Sequence, residues 1–147
     1  MKKFLALALA LIMALSLVAC GKTETPPAGG DDAETTKVKV GFITLHDENS
    51  TYDLNFINAA KDAIAQLGLT EDDYILKTNV PEGQECYEAA MDMVDKGCNI
   101  IFADSFGHEP YMIDAAKECP NVQFCHSTGT RAHTEGLANY HNAFASI

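Results

Sequence analysis

Four short apolar segments, each followed by a helix-like stretch, constrain the fold of this chain more than any other feature. The segments begin near residues 38, 75, 100 and 122, and amphipathic stretches of helical period separate them. Strands that alternate with helices form parallel sheets, because each right-handed crossover returns the chain to the same end of the sheet. The pattern predicts an α/β fold with a doubly wound parallel sheet over residues 37–138.

Local signals predict where these elements begin and end. Ser50 and Asp53 have the spacing of a capping box, and the helix that they open is expected to end before Gly68. Pro81 ends the second strand, and Pro110 stands at a first helical position. We expect residues 138–147 to open a further helix, and we therefore expect the chain to be the first part of a longer protein.

The third apolar segment, residues 99–103, ends abruptly at polar residues. A continuous apolar run is typical of a strand that is covered on both faces. Asp104, Ser105, Phe106 and Gly107 then supply an acceptor, a hydroxyl, a ring and a flexible backbone at the strand tip, which suits a small polar ring as ligand. The alternative is an ordinary turn in which Asp104 or Ser105 binds nearby backbone amides.

The other strands also end in polar side chains. The carboxyl ends of parallel strands meet at one edge of a sheet, where open α/β sheets bind their ligands. We therefore expect residues that are distant in the chain to line one crevice. They are His46, Asp47, Glu82, Asp104, Phe106 and His126.

The first twenty residues resemble a bacterial lipoprotein leader. Lys2 and Lys3 precede an apolar segment, residues 4–18, that is short for a membrane span. Cys20 directly follows Leu-Val-Ala, an arrangement similar to a lipobox, which implies cleavage of residues 1–19 and acylation of Cys20. Residues 20–36 lack apolar periodicity and are expected to form a disordered tether. These features predict a lipid-anchored protein on the extracytoplasmic face of the cell membrane.

The charge of the chain argues against a nucleic-acid partner. The formal net charge is −11, from 10 basic and 21 acidic residues. Binding to nucleic acid requires clustered lysine and arginine that neutralise phosphates. The acidic balance instead keeps a domain soluble beside an anionic membrane.

Sequence signatures of several catalytic sites are missing. Neither glycine-rich phosphate loop occurs, and the first strand ends in Thr-Leu-His-Asp. Ser105 follows a strand as a hydrolase nucleophile does, but Asp104 and Phe106 are too large for the strained turn of a nucleophile elbow. We expect neither an enzyme nor a cofactor.

A metal-binding receptor is an alternative function. His46, His108 and His126 all fall just beyond strand tips, and with Asp47 or Asp104 they would form a nitrogen and oxygen site for zinc or manganese. The alternative without a metal is that each histidine caps a turn or faces solvent, since none has the close spacing of a zinc motif.

Four cysteines follow Cys20, at positions 86, 98, 119 and 125. An even number in an exported chain permits disulfides. Cys86 lies on an apolar helix face and Cys125 in a buried strand, so burial as small hydrophobic side chains is an equally good interpretation. No base accompanies any of them, so a catalytic thiol is not expected.

Five motifs resemble, in order and spacing, the basic membrane protein (BMP) family of substrate-binding lipoproteins of ABC transporters. They are Lys39-Val-Gly-Phe-Ile-Thr44, Asp47-Glu-Asn-Ser-Thr-Tyr-Asp53, Ile101-Phe-Ala-Asp-Ser-Phe-Gly107, Phe124-Cys-His-Ser-Thr-Gly129 and Asn139-Tyr140. The resemblance implies a type I periplasmic-binding fold, an ABC permease as partner and a purine nucleoside or related heterocycle as ligand. Residues 37–138 would form lobe I, and residues 139–147 would begin lobe II.

The resemblance also implies roles for individual residues. The family commonly has Ser-Phe-Asn at the first helix, where the ring stacks on the base, and Tyr52-Asp53 stands in that place here. An aspartate cannot donate as the asparagine amide does. The implied ligand-binding set comprises stacking rings (Tyr52, Phe106), polar anchors (Asp53, Asp104, Ser105), supporting edges (His46, Asp47) and the flexible Gly107.

Overall fold

The computed structural model of the protein describes residues 37–143. Its strands are β1 (Val40–Ile43), β2 (Tyr74–Lys77), β3 (Ile100–Ala103), β4 (Gln123–His126) and β5 (Tyr140–Asn142). Its α-helices are α1 (Thr51–Gln66), α2 (Gln84–Asp95), α3 (Glu109–Glu118) and α4 (Ala132–Glu135). Short 3₁₀ turns lie at Glu71–Asp73 and Phe106–His108. The predicted alternation of strands and helices is confirmed.

The five strands form one all-parallel sheet in the order β2-β1-β3-β4-β5. In the central pair, Val40 of β1 lies opposite Ile100 of β3, and Ile43 lies opposite Ala103. From β1 the chain passes to β2 on one side, and it then returns to form β3, β4 and β5 on the other side of β1. All carboxyl ends therefore lie on one edge, as the predicted doubly wound sheet requires.

The larger apolar core lies between one face of the sheet and helices α2 and α3. Strand residues such as Ile43 and Ile101 pack there against helix residues such as Met93 and Met112, all of them fully buried. Gly41 permits this packing at β1, because an added Cβ would lie 2.6 Å from Met93 Sδ.

Helix α1 covers part of the opposite face. Ala60 and Ile64 of this helix are buried together with Val40 and Phe42 of β1. Leu67, which has the spacing of the apolar helix face, is instead 69% exposed, because the helix ends at Gln66 and Leu67 caps it. With helices on both faces, the domain is a layered α/β unit.

The predicted helix boundaries match the observed ones closely. Ser50 is the N-cap of α1 and its side chain accepts from the N–H of Asp53, which is one of the two bonds of the predicted capping box; the Ser50 N–H donates to the carbonyl of Asp47 instead. Gly68, at φ +66°, follows the C-cap and adopts the left-handed conformation that suits glycine. Pro110 lies in the first turn of α3.

The helix expected over residues 138–147 is wrong where the structure describes this segment. Tyr140–Asn142 form β5, and Tyr140 pairs with Phe124 of β4. Tyr140 is 2% exposed, and its hydroxyl donates to Glu109 Oε1 (3.0 Å). Burial of this ring and pairing with the edge of the sheet outweigh the local helical pattern. β5 thus extends the parallel sheet by a fifth strand.

The leader, the acylated Cys20 and the tether predicted for residues 1–36 lie outside the described residues, as do residues 144–147. Within residues 37–143, none of the helices is both long and apolar enough to cross a membrane.

Candidate functional site

The tips of β1 and β3 meet at the carboxyl edge of the sheet. The N–H of Asp104 donates to the carbonyl of Ile43 (3.3 Å), so the hydrogen bonding between β1 and β3 continues one residue beyond the end of β3. On the other side of β1, the N–H of Thr44 donates to the carbonyl of Lys77 (2.9 Å). These bonds fix the start of the loop after β1 beside Asp104.

Two consecutive main-chain amides of this loop bind two different carboxylates. The N–H of Leu45 donates to Asp104 Oδ1 (3.2 Å), and the N–H of His46 donates to Asp53 Oδ1 (2.9 Å). Asp53 is 1% exposed and Asp104 is 0% exposed. The two side chains therefore bind the protein's own backbone, which for Asp104 is the alternative that the sequence left open.

The two carboxyl groups differ in their affinity for a proton. Burial raises the pKa of Asp104, and the adjacent Asp53 carboxylate raises it further, to about 7. Burial also opposes ionisation of Asp53, but hydrogen bonds from Ser50 and from the amide and ring of His46 outweigh it and lower the pKa to about 2. At neutral pH Asp53 is the anion of the pair.

The main-chain carbonyl of Asp104 accepts from three hydroxyl groups. Tyr52 Oη lies 3.0 Å from this oxygen, Ser127 Oγ 3.0 Å and Thr128 Oγ1 3.1 Å. Helix α1 and the loop after β4 are thereby attached to the tip of β3. The tip is held from both sides.

Two aromatic rings are exposed beside this tip. Tyr52 is 53% exposed and Phe106 is 65% exposed. These are the two rings that the sequence predicts as stacking surfaces.

Glu82 fixes the turn that carries Ser105 and Gly107. Its Oε1 accepts from the Ser105 hydroxyl and from the N–H of Gly107 (2.8 Å). These bonds, led by that of Ser105, lower the pKa of Glu82. A Cβ at Gly107 would overlap the Glu82 side chain, so a glycine is needed for this close approach.

His46 and Asp47 form the outer part of the loop after β1. The His46 side chain is 57% exposed, and its Nδ1 lies 3.2 Å from Asp53 Oδ2. Asp47 accepts from the N–H of Asn49 (3.0 Å), and bonds from Asn49 and Asn79 lower its pKa. Both residues lie on the loop that directly follows β1, and their role as supporting edges of a ligand site stays a prediction.

The other two candidate histidines are buried. His126 Nε2 donates to the carbonyl of Ser105 (2.6 Å) and its Nδ1 accepts from the N–H of Thr128 (3.2 Å). His108 Nε2 donates to the carbonyl of Val80 (2.9 Å). Burial lowers the pKa of both rings. His126 was expected to line the crevice, and His108 was a candidate metal ligand. Both rings instead bind main-chain carbonyls inside the domain.

The alternative metal site is not supported by this geometry. Within residues 37–143, no group of three or more His, Cys, Asp and Glu side chains is placed to hold a metal ion. Both ring nitrogens of His126 are already bound to the backbone.

The four cysteines of the described domain are free thiols. Burial raises the pKa of Cys86 to about 12 and that of Cys125 above its ordinary value. They behave as small apolar side chains, which is one of the two interpretations that the sequence left open.

Ser127 and Thr128 belong to the site but were not predicted as site residues. They follow β4 directly, so the rule that polar residues after parallel strands meet at one edge would have found them. Glu109 was also missed. It is 3% exposed, and nothing in its local pattern distinguishes it from a surface glutamate at a helix start.

Comparison with known proteins agrees with this architecture. A purine-binding protein of Brucella abortus (strain 2308) is 30% identical over 119 residues, which are 79% of this chain and 33% of the relative. The chain thus spans about a third of the length of the curated relative. No protein-family model matches the chain. The relative is named as a binding protein, in agreement with the expectation that the chain is not an enzyme.

Two solved structures share the fold at lower identity. An ABC transporter solute-binding protein from Conexibacter woesei DSM 14684 matches with a TM-score of 0.60 and 17% identity, over 73% of this chain and 35% of that one. A transcriptional activator of the comK gene from Bacillus halodurans matches with a TM-score of 0.53 and 21% identity, over 62% and 30%. The described domain therefore has the fold of a periplasmic-binding-protein lobe. Over 79% of its length the chain is a homologue of a purine-binding protein, as the resemblance to the basic membrane protein family predicts.

Proposed function

We propose that residues 37–143 belong to the first lobe of a receptor that captures a purine nucleoside or a related heterocycle. The observation that carries this proposal is the placement of two exposed rings, Tyr52 and Phe106, at the carboxyl edge of a parallel sheet. This edge is where folds of this class bind ligands. Homology to a purine-binding protein supports a planar heterocycle as the ligand.

Tyr52 and Phe106 would stack on the base, and the polar groups of the edge would orient it. Ser105 is partly exposed and carries a hydroxyl, while His46 offers a ring nitrogen and Asp47 a carboxylate. These groups supply both donors and acceptors for the rim of a heterocycle. A single lobe leaves much of such a ligand in water, so a second lobe would close over it.

Asp53 and Asp104 act on the ligand through the groups that they hold. Asp53 fixes the loop at His46 and the start of α1, whereas Asp104 fixes Leu45 and, through its carbonyl, Tyr52. We assign to these two residues the role of positioning the stacking ring and the loop.

The cellular role follows from the same proposal. Acylation of Cys20 would anchor the protein to the membrane on its extracytoplasmic face, with residues 20–36 as the tether. Ligand that bridges two lobes would shift an equilibrium toward the closed form, which would deliver it to an ABC permease. Binding and release of intact ligand is the whole mechanism, and no cofactor takes part.

Isothermal titration tests this function. The proposed receptor, in a form that carries both of its lobes (the two-lobed form), is titrated with adenosine, guanosine, inosine, riboflavin and free bases. We expect saturable heat with at least one purine compound and recovery of that compound unchanged. Silence across the whole panel, or consumption of the nucleoside, would overturn the proposal. Parallel titrations with zinc and with manganese test the alternative function of a metal-binding receptor.

A further inference from the structure

The carboxyl pair of Asp53 and Asp104 has one buried oxygen without a donor. Asp104 Oδ1 accepts from Leu45, but Asp104 Oδ2 is fully buried and none of the described N–H or O–H groups donates to it. The Asp53 and Asp104 carboxyl groups are neighbours, because they accept from the consecutive main-chain amides of His46 and Leu45. Two carboxylates cannot bond each other without a proton between them, and a buried oxygen that lacks a partner costs free energy.

No fixed positive charge compensates this pair in the described residues. The ion pairs of Lys and Arg there involve other carboxylates, and the one ion-pair contact of Asp53 is to His46. The titratable groups near the pair on the surrounding elements are His46, Asp47, Tyr52, Glu82, Cys86, His108 and His126. Glu82 bonds the turn at Ser105 and Gly107, and His126 bonds the backbone, so neither neutralises Asp104.

We propose that Asp53 and Asp104 share a single proton, carried on Asp104 Oδ2 and donated to the Asp53 carboxylate. This proton keeps the loop after β1 and the first turn of α1 attached to the tip of β3 at the carboxyl edge of the sheet. The proton satisfies the one orphaned oxygen of the pair and removes one of two adjacent buried charges.

Loss of this proton would loosen the stacking ring. The two carboxylates bind Leu45 and His46, which are neighbours in one loop, and the Asp104 carbonyl binds Tyr52. Repulsion between two buried anions would separate them and pull these three attachments apart. His46 gives the proton a route to water, because its ring is 57% exposed and contacts Asp53 Oδ2.

The consequence for binding rests on the proposed function of this edge. The receptor would take up its heterocycle with the proton in place, so affinity would be highest below neutral pH and would fall as pH rises above it. The predicted loss is roughly tenfold between pH 6 and pH 8.5, which is what coupling to one proton over part of this range allows.

The proton is tested without ligand by carboxyl ¹³C NMR of the 147-residue chain labelled at aspartate. We expect one aspartate to titrate near neutral pH, to disappear in Asp104→Asn, and to move down by more than about one pH unit in Asp53→Asn. Asp47→Asn, which removes a carboxylate from the same loop, should leave the midpoint unchanged. A midpoint for Asp104 below about pH 5, or one that Asp53→Asn does not move, would overturn the shared proton.

If either variant fails to fold, infrared spectroscopy of the unaltered chain gives the same answer. A carbonyl band of a protonated carboxylic acid should be present at pH 6 and absent at pH 9, and its absence at pH 6 would refute the proposal.

Adenosine titrations of the two-lobed form at pH 6 and pH 8.5 then test the coupling. Affinity should fall with pH in the unaltered protein and stay level in Asp104→Asn, whose amide mimics the protonated acid. Binding that does not vary with pH in the unaltered protein would refute the coupling. Failure of every nucleoside to bind, with the NMR midpoint near neutral, would instead refute the proposed function and leave the shared proton standing.

Discussion

The phenolic hydroxyl of Tyr52 donates a 3.0 Å hydrogen bond to the main-chain carbonyl of Asp104, and this bond joins the first turn of α1 to the tip of β3. The two residues are 52 positions apart in the chain. The ring is 53% exposed, while the carbonyl that holds it belongs to a residue that is fully buried. A ring fixed at one end and open to water on its face is pre-organised for stacking, so less freedom is lost when a ligand binds.

Shortening the Tyr52 side chain separates the effect of the ring from that of its hydroxyl. Tyr52→Phe removes one hydrogen bond and should lower stability by about 1 kcal/mol or less, with a several-fold loss of nucleoside affinity. Tyr52→Ala also removes the stacking surface and should cost about 1–3 kcal/mol of binding. Isothermal titration and urea unfolding measure the two effects. Equal affinities for Tyr52→Ala and the unaltered protein would contradict the stacking role.

Phe106 should affect ligand binding and leave the stability of the lobe nearly unchanged. The ring is 65% exposed, so Phe106→Ala creates no buried cavity, but it removes the second stacking surface. We expect a loss of affinity of at least tenfold with a melting temperature within about 2 °C of the unaltered protein. Leu67→Ala is the matched control, because Leu67 is 69% exposed at the far end of α1. An equal loss in both variants would argue against a site at Phe106.

Glu109 should be a main support of the segment between β4 and β5. One oxygen, Oε1, accepts from the N–H of Thr130 (2.7 Å), the N–H of Arg131 (2.8 Å) and the hydroxyl of Tyr140 (3.0 Å). Glu109→Ala leaves these donors without an acceptor in a largely buried place, and it should destabilise the domain by about 2–4 kcal/mol. Urea unfolding measures the change.

The control for Glu109 lies on the same helix. Asp114 is exposed and pairs with Lys117 at 3.2 Å, so Asp114→Ala should cost less than about 1 kcal/mol. Similar losses for the two variants would show that the buried contacts of Glu109 contribute little.

His126 should make the domain less stable as pH falls from about 7 to 5. Burial lowers the pKa of its ring, so the unfolded chain binds a proton in this range more readily than the folded one. His126→Gln keeps an amide donor and acceptor but does not titrate, and its loss of stability on acidification should be smaller by on the order of 1 kcal/mol. Unfolding free energies at several pH values give the two slopes.

A comparison within one pH series isolates this effect. Asp104 acts in the opposite sense, because its raised pKa is associated with stability that is present at low pH and is lost as pH rises toward 7. His108, whose pKa burial also lowers, acts in the same sense as His126. The contributions of Asp104 and His108 are the same in the unaltered protein and in His126→Gln, so they cancel when the two slopes are subtracted. Identical slopes below pH 7 would contradict the proposed state of His126.

Much of the fold was predictable because local and long-range signals agree. The four apolar segments, Ser50 at the start of α1 and Gly68 after its end are all visible in the sequence, and parallel pairing follows from the helices between the strands. The shared edge of the sheet followed as well. Phe106 was identified as a stacking ring because it stands just past the third predicted strand, and Tyr52 because the resemblance to the basic membrane protein family implies such a ring there.

Burial at the edge was not predictable from the sequence. Asp53 and Asp104 are predicted as polar anchors for a ligand, but the sequence does not show that both carboxylates accept from consecutive amides of one loop. β5 was missed because its pairing with Phe124 and the bond from Tyr140 to Glu109 are contacts between distant residues. A local sequence pattern does not reveal such long-range contacts, and the pattern of residues 138–147 favoured a helix.

The central claim, that purine heterocycles stack on this edge of the sheet, is tested most directly by the ring protons of Tyr52 and Phe106. Proton NMR of the two-lobed protein during titration with adenosine should show both sets of ring signals moving upfield and saturating together, because a stacked base shields the protons beneath it. Saturable binding that leaves both rings unshifted would place the ligand elsewhere and contradict the account.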